Sequence, residues 1–169
     1  MQQPSITHAP SFTIVIVEVS NPYRRSLYDV LEANFPSVRL IETGSVEGAM
    51  RLYPEMGADL MFVDIHLPDG NGLDLVRALR RRPGNAELCL MTVYDVPEYR
   101  LAAHACGAMH FLAKATSNSA DVIALVEATV AQRATGCVAD GDAGVRMAMP
   151  RLHEHRAIPG GRAENPPGR

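Results

Sequence analysis

The chain lacks the features that mark membrane-spanning, thiolate-metal and DNA-binding proteins. Its apolar runs are no longer than a β-strand, and residues 1–11 lack the basic and apolar regions of a signal peptide. The three cysteines are odd in number and have no metal-binding spacing. A net charge of -3 shows no basic excess of the kind that DNA-binding modules carry. These absences predict a cytoplasmic protein without membrane association or direct DNA binding.

Lysine is also scarce. Of the 16 basic residues, Lys114 is the single lysine and all others are arginine. It follows a predicted strand, where a compact ammonium group could serve chemistry that the planar arginine side chain serves less well. Chance is the alternative explanation of this composition.

Apolar segments of strand and helix type alternate five times along the chain. With 169 residues, 47% hydrophobic and 21% charged, the chain suits one globular domain. The alternation predicts an α/β fold with a five-stranded parallel sheet covered by helices on both faces. Asn21 is the predicted cap of the first helix, and Pro54 is predicted to stop the second. The predicted strands are 12–17, 38–42, 60–63, 88–92 and 109–113, and the predicted helices are 21–35, 45–53, 73–82, 97–106 and 119–133.

The two ends of the chain differ in composition from the middle. Residues 1–11 are polar, and residues 134–169 are rich in Gly, Pro, Arg and Ala without a sustained apolar period. Such segments bury too little apolar surface to offset the entropy of ordering them. We therefore predict disorder in both segments and a domain that covers residues 12–133.

Polar residues stand at the ends of four predicted strands: Glu18, Asp64, Thr92 and Lys114. The carboxyl ends of parallel strands lie at one edge of a sheet, so these four side chains are expected to converge. Two carboxylates can hold Mg²⁺ together with water and phosphate oxygens. Asp64 would then accept a phosphoryl group whose charge the metal and the lysine offset. Taken alone, Asp64 could equally cap the following loop or helix.

Four motifs point to a known family: 63–72, 90–92, 107–114, and Glu18 followed by Asn21-Pro22 and Arg24-Arg25. With these motifs, the sequence resembles the receiver domains of two-component response regulators over roughly residues 12–133. The resemblance implies a doubly wound, flavodoxin-like (βα)5 receiver fold. The segment 94–100 is similar to the subfamily that usually carries a C-terminal helix-turn-helix domain, but residues 134–169 show no such helical period. We therefore expect a stand-alone receiver or a truncated regulator.

The resemblance also implies roles for individual residues. Asp64 matches the phospho-acceptor, and Lys114 matches the lysine that pairs with the phosphoryl group. Thr92 matches the switch hydroxyl, and Phe111 matches the aromatic residue that changes rotamer on activation. For the metal, the matching oxygen donors are Glu18, Asp64 and the main-chain carbonyl of His66.

One position departs from the family pattern in a way that affects the metal. Val19 stands where the family has a second acid, and its side chain offers no oxygen donor. The resemblance therefore implies a Mg²⁺ site that is weak or absent, with Ser20 a poor substitute ligand.

Two main functions follow. The first is a phosphorelay receiver that a sensor histidine kinase phosphorylates on Asp64. It would then change a surface formed by 97–106, 109–114 and 119–133, which could bind an output protein or a second copy. The alternative is a pseudo-receiver, a binding module that works without phosphorylation because of Val19. An aspartyl hydrolase with His66 as acid or base is a weaker alternative, and we do not expect an enzyme.

Overall fold

Five parallel strands form the main sheet of this structure, a computed structural model that describes residues 12–136. The strands are ordered β2-β1-β3-β4-β5, which is a doubly wound order. The predicted α/β class with a five-stranded parallel sheet is confirmed. The strands are β1 (Thr13–Val17), β2 (Arg39–Thr43), β3 (Leu60–Asp64), β4 (Glu87–Thr92) and β5 (His110–Ala113). The helices are α1 (Asn21–Asn34), α2 (Val46–Met56), α3 (Gly72–Arg80), α4 (Pro97–Cys106) and α5 (Ser119–Gly136).

Two hydrophobic cores lie on opposite faces of the sheet. Alternate residues of a strand point to opposite faces, so the fully buried strands β1 and β3 supply side chains to both cores. Helices α1 and α5 cover one face, with Leu31 and Val126 fully buried against it. Helices α2, α3 and α4 cover the other, with Val76 and Ala103 buried there. No helix within residues 12–136 has the length and hydropathy that a bilayer crossing requires.

The start of α1 differs from the prediction. Ser20, not Asn21, is the N-cap, and the Ser20 side chain accepts a hydrogen bond from the main-chain N–H of Tyr23. Asn21 is already the first residue of the helix, with Pro22 next to it. A serine oxygen satisfies one of the free N–H groups of the first turn as well as asparagine does, so the sequence alone left the choice open.

The ends of α2 and α5 also differ from the prediction. Helix α2 continues through Pro54 to Met56, and the next residue, the C-cap Gly57, adopts a left-handed conformation with φ 54°. A proline removes one helical hydrogen bond, whereas a left-handed glycine terminates the helix, so Gly57 and not Pro54 sets the boundary. Helix α5 extends to Gly136, three residues beyond the predicted end. The segments 1–11 and 137–169, for which disorder was predicted, lie outside the described residues.

A buried carboxylate joins three elements at the amino end of the strands. Glu87, the first residue of β4, is 6% exposed. Its Oε2 lies 2.6 Å from Nε2 of His110 in β5 and accepts a hydrogen bond of 3.1 Å from the Thr129 hydroxyl in α5. Buried polar groups are costly without partners, so these contacts stabilise the packing of α5 on β4 and β5.

Candidate functional site

Three of the four polar residues predicted from strand ends are in contact at the carboxyl edge of the sheet. Lys114 Nζ lies 3.0 Å from Asp64 Oδ2 and 2.5 Å from Glu18 Oε2. The Glu18 contact is an ion pair by distance but is not aligned as a hydrogen bond. Glu18 is fully buried, Asp64 is 4% exposed, and the Lys114 side chain is 7% exposed. Charges removed from water this far need opposite charges close by, and each of the three has one.

The charge balance of the site perturbs Glu18. Burial raises the pKa of Glu18 above its ordinary value, and the negative charge of Asp64 acts in the same direction. The Lys114 ammonium and the main-chain N–H of Ser20, which donates to Glu18 Oε1 at 2.9 Å, lower the pKa of Glu18 in part. The upward effect of burial is the larger, so this carboxylate is held in the site at an energetic cost.

The loop after Asp64 is held close to the end of β3. The main-chain N–H of Gly72 donates to the Ile65 carbonyl at 2.9 Å, and a Cβ at position 72 would lie 2.1 Å from the Asp64 carbonyl oxygen. Only glycine allows the start of α3 to approach this closely. Asp69 fixes the other side of the loop, because its carboxylate accepts 2.8 Å hydrogen bonds from the first two main-chain N–H groups of α2, at Val46 and Glu47.

The two predicted switch residues lie on neighbouring strands. Thr92 ends β4 and is fully buried, and its hydroxyl oxygen accepts a hydrogen bond of 3.1 Å from the Tyr94 N–H. Phe111 in β5 is partly buried and packs on the core beneath α4. The Arg100 guanidinium lies 4.8 Å from the centroid of the Phe111 ring and pairs with Asp95 at 2.5 Å. Thr92 therefore lies at the predicted edge, and Phe111 lies under an arginine of α4.

The donor set offered to a cation is small. The His66 main chain follows Asp64 closely, since its N–H lies 3.4 Å from Asp64 Oδ1. Val19 is 44% exposed at the rim and supplies only methyl groups, and the Ser20 hydroxyl is engaged as the helix cap. Among the described residues, no three His, Cys, Asp or Glu side chains are grouped as a metal site. Two carboxylates and a main-chain carbonyl are oxygen donors of the kind that Mg²⁺ prefers, but they are few.

These residues surround an open pocket above the carboxyl edge of the sheet. Its volume is about 400 Å³, which is ample for a phosphoryl group. Asp64 thus lines the pocket next to the buried Lys114 ammonium. Its lining residues are Glu18, Val19, Ser20, Asp64, His66, Val93, Tyr94 and Lys114.

Comparison with known proteins decides the family. A sequence profile of the response regulator receiver domain matches residues 14–127, well over half of the chain. The chain belongs to the response regulator receiver family. The predicted resemblance is confirmed.

The relatives of this receiver domain include a transcriptional activator and a nitrate/nitrite response regulator. It is 34% identical over 102 residues to the DNA-binding transcriptional activator DevR/DosR of Mycobacterium tuberculosis, covering 60% of this chain and 46% of that protein. It is 29% identical over 106 residues to the nitrate/nitrite response regulator protein NarP of Escherichia coli, covering 63% and 49%. The chain spans about half the length of these relatives.

Solved receiver structures share the fold. A two-component response regulator of the LuxR family from Aurantimonas sp. has a TM-score of 0.63 at 26% identity, covering 71% of this chain and 85% of that one. A CheY-like receiver domain protein from Methanospirillum hungatei has a TM-score of 0.65 at 21% identity, covering 74% and 98%. The LuxR-family neighbour agrees with the subfamily similarity of segment 94–100.

Two side chains of this receiver domain, His66 and Lys114, make aromatic contacts that the sequence did not predict. The His66 ring packs edge-on against Tyr94 and Tyr99, with His66 Nε2 3.3 Å from the Tyr99 hydroxyl. In addition, Lys114 Nζ lies 4.9 Å from the centroid of the Tyr23 ring in α1. No local pattern signals these contacts, because the partners are 28, 33 and 91 positions apart in the sequence.

Proposed function

We propose that this receiver domain works in phosphorelay signal transduction, accepting a phosphoryl group on Asp64 and switching a partner-binding surface. The observation that carries the proposal is the pairing of Asp64 with the buried Lys114 ammonium at the floor of the open pocket. Receiver domains are signalling modules that are typically phosphorylated by sensor histidine kinases, so we propose such a kinase as the partner.

The side chains of the site have defined parts in the proposed transfer. An Asp64 carboxylate oxygen attacks the phosphorus and forms an O–P bond, while the bond from phosphorus to the donor breaks. The donor, a kinase histidine or acetate from acetyl phosphate, leaves with the electron pair. Lys114, already 3.0 Å from Asp64, offsets the charge on the transferring group. The Thr92 hydroxyl donates a hydrogen bond to a phosphoryl oxygen.

A divalent cation belongs to the proposed chemistry in a reduced role. The carboxylates of Asp64 and Glu18 and the carbonyl of His66 would hold Mg²⁺, which supplies positive charge to the phosphoryl oxygens when bound. Because Val19 contributes no ligand, we propose that this receiver needs more Mg²⁺ than a receiver with an acid at that position.

The proposed switch runs from Thr92 to the surface of α4, β5 and α5. A phosphoryl group that attracts the Thr92 hydroxyl would break its 3.1 Å hydrogen bond from the Tyr94 N–H. Phe111 would follow and change its contact with Arg100, which links β5 to α4. Leu101 in α4 is 73% exposed and Met109 beside β5 is 56% exposed. This surface would bind an output protein or a second copy.

A second candidate function is a pseudo-receiver that binds partners without phosphorylation. It is favoured by one observation, the exposed Val19 side chain at the rim of the pocket where the metal-ligand acid of the family belongs. A hydrolase with His66 as acid or base is not favoured, because the His66 ring packs against Tyr94 and its Nε2 contacts the Tyr99 hydroxyl.

The deciding experiment is intact-mass analysis after incubation with acetyl phosphate across a Mg²⁺ titration. A phosphate-sized gain that requires Mg²⁺ and is absent in Asp64→Asn would support the receiver, and Val19→Asp should then react at a lower Mg²⁺ concentration. No gain in the natural chain at any Mg²⁺ concentration, but a gain in Val19→Asp, would support the pseudo-receiver. No gain in either chain would refute phosphotransfer on Asp64.

A further inference from the structure

Tyr23 contacts Lys114 but has no part in the proposed phosphoryl transfer. It lies in the first turn of α1, and Lys114 Nζ is 4.9 Å from the centroid of its ring. The ring is partly buried and packs on the core between the sheet, α1 and α5. A cation placed over the face of an aromatic ring is attracted by the ring quadrupole.

The Tyr23 side chain is neutral at physiological pH. Burial, with smaller electrostatic contributions from Glu18, Cys89 and Asp64, raises the pKa of its phenol to about 12. Tyr23 therefore acts on Lys114 through the ring face and not as a phenolate counter-ion.

Phosphoryl transfer changes the other contacts of Lys114. In the structure the ammonium bridges Glu18 and Asp64, at 2.5 Å and 3.0 Å. When Asp64 takes the phosphoryl group, the ammonium must exchange at least the Asp64 oxygen for a phosphoryl oxygen. The lysine stem is long and flexible, so this exchange can displace the ammonium from the site. The Tyr23 ring takes no part in the reaction, so its attraction persists through the exchange.

We propose that Tyr23 is a positioning residue for the phosphorylation of Asp64, and that its ring face keeps the Lys114 ammonium beside the acceptor while the ammonium changes partners. This inference rests on the proposed function. The contact between Tyr23 and Lys114 matters more here than in a receiver with both acids, because Val19 weakens metal binding. Lys114 then supplies a larger share of the positive charge at the phosphoryl group.

The test compares initial rates of acyl phosphate formation, with acetyl phosphate as donor at saturating Mg²⁺. We expect Tyr23→Leu to react about tenfold more slowly, the effect of a partly desolvated cation–ring contact, whereas Tyr23→Phe keeps the ring face and retains most of the rate. Tyr28→Leu is the matched control. Tyr28 is also partly buried in α1 and lies beside a cation, Arg25 at 5.3 Å, but is not part of the site. Its rate should equal that of the natural chain.

A double-mutant cycle separates positioning from packing. In a Lys114→Met background there is no ammonium to hold, so Tyr23→Leu should cause no further loss of rate. If Tyr23→Leu fails to fold, fluorinated phenylalanines at position 23 replace it, since they keep the ring shape and weaken the attraction of its face. The rate should then fall as the number of fluorines rises.

Three results would overturn the inference while the natural chain is phosphorylated. They are an unchanged rate in Tyr23→Leu, an equal loss in Tyr23→Phe and Tyr23→Leu, and an equal loss with and without Lys114. A rate that is insensitive to ring fluorination has the same meaning. No product from the natural chain would instead refute the proposed function, and this inference with it.

Discussion

Replacement of Gly72 by alanine should damage both the stability and the chemistry of the domain. The added Cβ would lie 2.1 Å from the Asp64 carbonyl oxygen and 2.9 Å from the Ile65 Cα, both main-chain atoms. Contacts between real Cβ atoms and their neighbours are essentially never under 3.0 Å, so α3 and the end of β3 must separate by roughly 1 Å. No flexible side chain can absorb this movement.

The cost can be set against the ordinary preference of helices for alanine. Alanine in a helix is favoured over glycine by about 1 kcal/mol, so a substitution without a clash would be neutral or stabilising. Main-chain overpacking costs about 1–3 kcal/mol or more, and the clash here is severe. We expect a net destabilisation of about 3 kcal/mol, which corresponds to a melting temperature lower by about 10 °C for a domain of this size.

The matched control is Gly57→Ala, the same chemical change at the end of α2. Its Cβ would meet nothing within 4 Å, but the residue has φ 54°, so the cost should be about 1 kcal/mol of left-handed strain. Thermal and urea unfolding followed by circular dichroism measure both variants. The reasoning is refuted if Gly72→Ala unfolds no more easily than Gly57→Ala. If Asp64 is phosphorylated as we propose, the reaction should also slow in Gly72→Ala, because the Asp64 main-chain carbonyl is displaced, and stay unchanged in Gly57→Ala.

Three further predictions concern charge and hydrogen bonding. The folded-state pKa of Glu18 is raised above its ordinary 4.5, so its contribution to stability is complete below pH 4.5 and is lost as the pH rises through the raised value. Urea unfolding should therefore show that Glu18→Gln becomes more stable relative to the natural chain as the pH rises through that range. A stability difference between the two that does not change with pH would contradict this. Asp69 has a pKa lowered by its hydrogen bonds from the first two N–H groups of α2, so its contribution is present above pH 3.8 and lost as the pH falls through the lowered value. In hydrogen exchange near neutral pH, Asp69→Ala should speed exchange of those two amides, and unchanged rates would count against the clamp. Thr129→Val should lower the free energy of unfolding in urea by about 1–3 kcal/mol, because the buried Glu87 carboxylate loses a hydrogen-bond donor. Thr135→Val, at an exposed position, is the control and should change the stability little. Equal effects of the two substitutions would contradict the buried network.

The sequence predicted the sheet and the meeting of its strand ends because both follow from local patterns and general topology. Buried parallel strands are continuous apolar runs, and each run here ends in a polar residue or leads into one. Once the strands are parallel, Asp64 and Lys114 must lie at the same edge although 50 positions separate them. The contact of 3.0 Å between them agrees with that argument.

The sequence could not predict the helix ends or the contacts between distant side chains. At the helix ends, neighbouring residues are suited to the same role. Ser20 and Asn21 can both cap a helix, and the actual position of the first turn decided between them. Pro54 predicted an end that the left-handed Gly57 provides three residues later. The contact between Tyr23 and Lys114 depends on how α1 sits against the sheet, which no period along the chain records.

Because it is the single lysine, Lys114 can also report on the state of the site through chemical labelling. Since the chain has no other lysine, an amine-directed reagent has two possible targets, the α-amino group and an ammonium whose side chain is 7% exposed. The rate at which Lys114 is labelled therefore measures how often its amine leaves the two carboxylates and reaches solvent. Any ligand or partner that tightens or opens the site will change that rate, and mass spectra taken over time will record the change without an engineered residue.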